Sequence, residues 1–152
     1  MYACYPKLDE DAIKRQLLVA AYRVLPDVPF QVVDVSPENY PELLSTRTYT
    51  LPILGRYCET SIFGEPYGNV LQRVLHDTVH MAIYATTSQR DELRVATEQC
   101  RIIENACGRL SADVVFADLA GQTEHIIKYG VFPTEQAAFT FNLLRTGRID
   151  RF

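Results

Sequence analysis

Thiolate chemistry is the first class that the sequence excludes. Its four cysteines, Cys4, Cys58, Cys100 and Cys107, form no CxxC pair, so neither a cysteine-built zinc site nor a dithiol redox motif is expected. No GxGxxG, GxxxxGK[ST] or GxSxG occurs, which removes nucleotide binding by glycine-rich loops and hydrolase-elbow catalysis. No apolar run approaches the roughly 20 residues that a membrane span needs. The opening MYACYPKLDEDAIKR lacks a basic segment followed by an apolar one, so no signal peptide is expected and the default setting is cytoplasmic, with reduced cysteines. Basic charge is also in deficit. The formal net charge is −4, a poor basis for sequence-independent nucleic-acid binding, and no nucleic-acid partner is expected. The arginines of the closing RTGRIDRF are read as a solvated end. Histidine is scarce too: there are three, and none precedes His76. HD-type phosphohydrolases need a histidine upstream of their HD pair, so that class is set aside.

What is present is a globular composition. Hydrophobic residues make up 47% and charged residues 22% of 152 residues, enough for one domain with a real core. Asp9 is a plausible N-cap for a helix in which Ile13, Leu17, Leu18, Ala21 and Leu25 recur at helical spacing, ended by Pro26 and Pro29. PFQVVDVSP reads as a strand or extended segment, Ser36–Pro37 as the start of a short helix to about Leu44, and TRTYTLPIL as a second extended piece able to pair with the first. Gly55 to Gly68 reads as a loop. Four helices are then expected: about Val70 to Ala85; Ser88, with a capping-box-like Asp91, to about Gly108; a third capped by Ser111 and stopped at Gly130; and a fourth capped near Pro133–Thr134 and ended at Gly147. Cys100 and Cys107 fall near one face of the second of these and read as small buried hydrophobes. There is no internal repeat. The expected fold is a mainly α, single-domain helical bundle with a small β or extended element near the N-terminus.

One stretch carries chemistry: LHDTVHMAIYATTSQRDEL, Leu75 to Leu93. His76 and His80 are four apart, so on a helix they project from one face with their rings close enough to share an ion. Asp77 borders that face. The short link after Ala85 lets the next helix fold back and bring Glu92 across from the pair. Two imidazoles with one or two carboxylates suit Zn²⁺, and also Fe(II) or Mn(II). A set with few protein ligands and no thiolate keeps a position open for water or substrate, as catalytic sites do. Asp118, Gln122 and His125, spaced four and three apart, share a face of the third of these helices that can complete the site. Asp118 is then either a further ligand or the partner that fixes a histidine tautomer, His125 either a third histidine ligand or an ordinary hydrogen-bonded residue. Arg73, three before His76, either binds an anionic substrate group or makes a plain salt bridge. Tyr84 is either a site-lining donor or core.

His76, Asp77, His80 and Glu92, as HDxxH followed by eleven residues and Glu, resemble the signature of the Coq-four family of ubiquinone-biosynthesis proteins. That resemblance implies a helical fold, those four positions as metal ligands, usually for zinc, and a link to quinone head-group modification. It covers about seventeen residues of the 152. A wider resemblance, through NVLQRVLHD and DLAGQTEHIIKYGVFPTEQAA, is to a group of uncharacterised phage and bacterial proteins with an HDxxH, a downstream Glu, a GQ pair and an FPxQxA element. Asp118 stands here where that group tends to show Glu. The resulting expectation is a mononuclear metal site with His76, His80 and Glu92 as ligands and Asp77 as a fourth, in an enzyme of hydrolase or lyase type acting on a small molecule. Whichever of Asp77, Glu92 and Asp118 does not ligate serves as general acid or base. Self-association into a homo-oligomer stays open. The other expectation is a non-enzymatic phage or mobile-element accessory protein whose metal is structural or absent.

Overall fold

The computed structural model describes residues 2–34, 50–55 and 61–152. Helix α1, Glu10–Arg23, begins where Asp9 accepts from the Ala12 N–H at 3.0 Å, with Glu10 and Asp11 in its first turn facing the positive end of the helix dipole. Strands β1, Phe30–Val33, and β2, Leu51–Leu54, follow and pair in parallel, Phe30 opposite Leu51 and Val33 opposite Leu54. A parallel pair requires a crossover; the short helix expected from Ser36 to about Leu44 lies outside the described residues, as does Cys58.

Four more helices complete the described chain: α2, Pro66–Ala82; α3, Gln89–Cys107; α4, Arg109–Tyr129; and α5, Gln136–Thr146. The fold is mainly α with a small β element near the front. Helix α2 starts at Pro66, earlier than expected, because a proline at the first helical position forfeits no hydrogen bond and Glu65 before it is extended. It also ends earlier, at Ala82, since Tyr84 turns the chain with φ +52°. Ser88 caps α3 by accepting from the Asp91 N–H at 3.2 Å. Ser111 does not cap α4. Gly108, at φ +92°, ends α3 and starts α4 in a single residue, leaving Ser111 buried inside the helix. Helix α5 begins after Glu135, with no side-chain cap.

The core is a cluster drawn from all five helices: Leu17 from α1, Leu71 and Leu75 from α2, Val95 and Ile103 from α3, Val114 and Val115 from α4, Phe139 and Leu143 from α5, with Phe63 from the preceding turn. A smaller cluster of Ile53, Val70 and Val74 seats the sheet on α2. Cys100 is buried as expected, whereas Cys107 is only partly so. The C-terminal tail is not a simple solvated end. Its arginines at 148 and 151 are exposed, but Phe152 packs edge-on against Phe139 at 5.8 Å and its N–H reaches the His125 ring. The apolar Phe152 ring gains more from the core than from water, and it takes the backbone with it.

Candidate metal centre

The buried stripe of α2, Val70, Leu71, Val74, Leu75 and Val79, fixes the rotation of the helix. His76 and His80 fall on the border of that stripe, half-buried, with ring centroids 4.8 Å apart. The link to α3 is built rather than slack. The Ala85 N–H caps back onto the His80 carbonyl at 2.9 Å, and the Thr86 N–H and hydroxyl both bind one Asp91 oxygen, at 2.8 and 2.7 Å. Thr86, through both groups, and then Arg94 hold the Asp91 carboxyl well below the usual carboxylate range. This latch sets α3 antiparallel to α2: going back along α2 from His80 to His76, contacts advance along α3 from Glu92 to Gln99.

Three atoms converge in consequence. His80 Nε2 lies 3.2 Å from His76 Nε2, and each lies 3.4 Å from Glu92 Oε2. Ligands about 2.0–2.1 Å from a tetrahedral zinc ion stand about 3.3–3.4 Å from one another, so this triangle has the size that three corners of such a site require. The described residues contain one such group, His76, His80 and Glu92, and it can hold a metal ion. The side chains are 21%, 15% and 27% exposed, which leaves the cluster within reach of solvent on one side.

Without an ion, the same atoms form a charge pair. Burial pushes the Glu92 carboxyl up, but hydrogen bonds and charge from His76 and His80 outweigh it and bring the value down to about 2. His80 is shifted up, chiefly by its hydrogen bond to Glu92, against burial, with Asp77 adding to the rise.

Other expected residues are placed differently. Asp77 is half-buried beside the cluster but outside the three-atom group, because adjacent helical residues point about 100° apart. His125 does not join it. Its ring is fully buried, Nδ1 donates to the Val131 carbonyl at 2.7 Å, and Nε2 accepts from the Phe152 N–H at 3.2 Å, so both nitrogens already hold the C-terminal segment in place. Asp118 is buried, and its Oδ1 accepts from Gln122 Nε2 at 2.9 Å and Thr140 Oγ1 at 2.8 Å. Burial raises its carboxyl to about 6, against Thr140, Gln122 and the charge of His76. Arg73 Nη1 donates to the Leu54 carbonyl and ties β2 to α2. Tyr84 is neither core nor buried; its ring is exposed.

Gln99 was not anticipated. It is fully buried, and its Oε1 lies 3.1 Å from His76 Nδ1. Its Nε2 is buried with no hydrogen-bond partner among the described residues, an arrangement that costs about 1–3 kcal/mol. The available signal was its spacing: Gln99 follows Glu92 by seven residues, two helical turns, and so shares its face.

No family model, curated protein or solved structure matches the chain. Among the described residues no helix is long and apolar enough to cross a membrane.

Proposed function

We propose that this chain is a metal-dependent enzyme that holds one zinc ion, or alternatively iron or manganese, through His76, His80 and Glu92, and that acts on a small molecule by hydrolase or lyase chemistry. The observation that carries this reading is the triangle of 3.2, 3.4 and 3.4 Å between two imidazole nitrogens and a carboxylate oxygen, which has the dimensions and donor types of a tetrahedral site with one corner left over. The HDxxH-x11-E resemblance to the Coq-four family supports the same ligands.

An ion held by His76, His80 and Glu92 would supply Lewis acidity. The remaining tasks fall to the chain. Glu92 offsets the ion's charge and needs no deprotonation to do so, being ionised down to about pH 2. Asp77 lies beside the ligands, its charge already acting on His80, and we assign it the transfer of the substrate proton. Asp118, held by Thr140 and Gln122, supplies negative charge behind His76. Arg73 is engaged with Leu54 and positions α2 rather than substrate.

The test is elemental analysis of tag-free protein purified without added metal, alongside His76→Ala and Glu92→Ala, with helicity followed by circular dichroism. About one zinc per chain in the wild type, lost in both variants with helicity intact, supports an open site that can be emptied without unfolding. Unfolding on metal loss identifies a structural ion and a non-enzymatic role. A wild type that carries no metal and takes none up on titration overturns the reading.

A further inference from the structure

Gln99 takes the place behind His76 that one of the alternatives for Asp118 gave to a carboxylate. Histidine presents a lone pair to a metal only from the nitrogen that carries no proton, and the hydrogen bond made by the other nitrogen decides which that is. His76 Nδ1 faces Gln99 Oε1 at 3.1 Å, while His76 Nε2 faces Glu92 Oε2 at 3.4 Å and His80 Nε2 at 3.2 Å. A carbonyl-type oxygen accepts only, so it keeps a proton on Nδ1. Nε2 is then the nitrogen turned into the triangle: in the protonated ring it donates to Glu92, and in the neutral ring its lone pair faces His80 Nε2 at 3.2 Å and is open to an ion.

We propose that Gln99 is the positioning residue of this site: it locks His76 in the Nδ1–H tautomer and so keeps Nε2 ready to ligate before any ion arrives. The inference rests on the metal reading above. Two observations point to it apart from the distance. Gln99 is fully buried, so its amide cannot exchange its partner for bulk water. Its Nε2 has no hydrogen-bond partner among the described residues, so the residue is held in a place where only its oxygen is used. A side chain chosen for packing alone would carry no amide there. An amide rather than a carboxylate also leaves the ligand set with Glu92 as its anionic donor, and it orients the ring without adding a second buried charge.

The experiment combines ring-nitrogen NMR with zinc titration. In metal-free, ¹⁵N-labelled protein under mildly alkaline conditions, long-range proton–nitrogen correlations of the His76 ring are expected to show a protonated Nδ1 and a bare Nε2. Gln99→Leu, which keeps the volume but removes the acceptor, is expected to shift the ring towards the Nε2–H form and to weaken zinc binding about ten- to a hundredfold. Gln99→Glu, which restores an acceptor, is expected to recover both the tautomer and the affinity. Gln99→Met serves as the apolar variant if Gln99→Leu does not fold. A bare Nδ1 in the metal-free wild type overturns the proposal, since the amide then presents its N–H to the ring. Unchanged zinc affinity in the apolar variant also overturns it. A wild type that keeps Nδ1–H yet takes up no zinc sinks the metal reading alone and leaves the hold of Gln99 on the ring supported.

Discussion

Replacing Glu92 by glutamine removes one negative charge from the ring cluster with almost no change of shape. In metal-free protein the consequence depends on pH, and its sign follows from the two shifts. The Glu92 carboxyl is lowered from 4.5 to about 2, so its contribution is present above about pH 4.5 and is lost as pH falls towards 2. His80 is raised above 6.5, so its contribution is present below about pH 6.5 and is lost as pH rises through the shifted value. Both are fully present between those limits. The Glu92 shift corresponds to about 3 kcal/mol at face value; the carboxylate is partly solvated, and screening leaves about 1–2 kcal/mol. Glu92 also lies in the first turn of α3, where loss of its charge costs about 0.3–1 kcal/mol at both pH 5.5 and pH 8.5. Urea unfolding in the presence of a chelator should therefore show Glu92→Gln less stable than wild type by about 1.5–3 kcal/mol near pH 5.5, shrinking by about 1 kcal/mol or more near pH 8.5. An equal deficit at both values, or a larger one at the higher, would refute the charge-pair argument.

Asp118 should behave in the opposite sense. Its carboxyl is raised from 3.8 to about 6, so the folded state favours the protonated form and stability falls as pH rises between those values; Asp118→Asn, which keeps an acceptor for Thr140 and Gln122, should gain about 2 kcal/mol relative to wild type between about pH 4 and pH 7.5, read by urea unfolding. His125→Ala removes a buried ring and two hydrogen bonds and is expected to cost about 3–5 kcal/mol while leaving zinc stoichiometry unchanged, which calorimetry and elemental analysis would check. Gly68→Ala places a methyl 2.4 Å from the Phe63 carbonyl oxygen and 2.9 Å from Leu18. The backbone oxygen cannot swing aside, so a loss of about 1–3 kcal/mol is expected despite the helix-propensity gain of about 1 kcal/mol, measured as a lower urea midpoint.

The ligand cluster was legible because its logic is local. The i, i+4 spacing of His76 and His80 settles their common face, and a short link followed by the Ser88 cap places Glu92 opposite them. What escaped was decided by neighbours distant in sequence. His125 and Asp118 share a helix face, but their hydrogen bonds go to residues 131, 152, 122 and 140, and only the charge of Asp118 reaches His76. That destination depends on how α5 and the tail pack, which no spacing within α4 reports. Gln99 carries no charge and belongs to no motif, so only the position of α3 against α2 gives it meaning. Helix ends were misplaced where backbone geometry overrode the capping pattern, as at Gly108, whose positive φ made Ser111 an interior residue.

The single-residue joint at Gly108 has a consequence for motion. With no loop between them and extensive packing along their length, α3 and α4 are expected to exchange their amide hydrogens as one cooperative unit. Helix α2 reaches α3 through the latched link at Thr86. His76 and His80 ride on α2, and Glu92 and Gln99 on α3. An ion bound across the boundary would cross-link the two and raise the free energy of their separation by its own binding energy. Slowed exchange in α2, α3 and α4 together on zinc addition is the signature such a cross-link would leave.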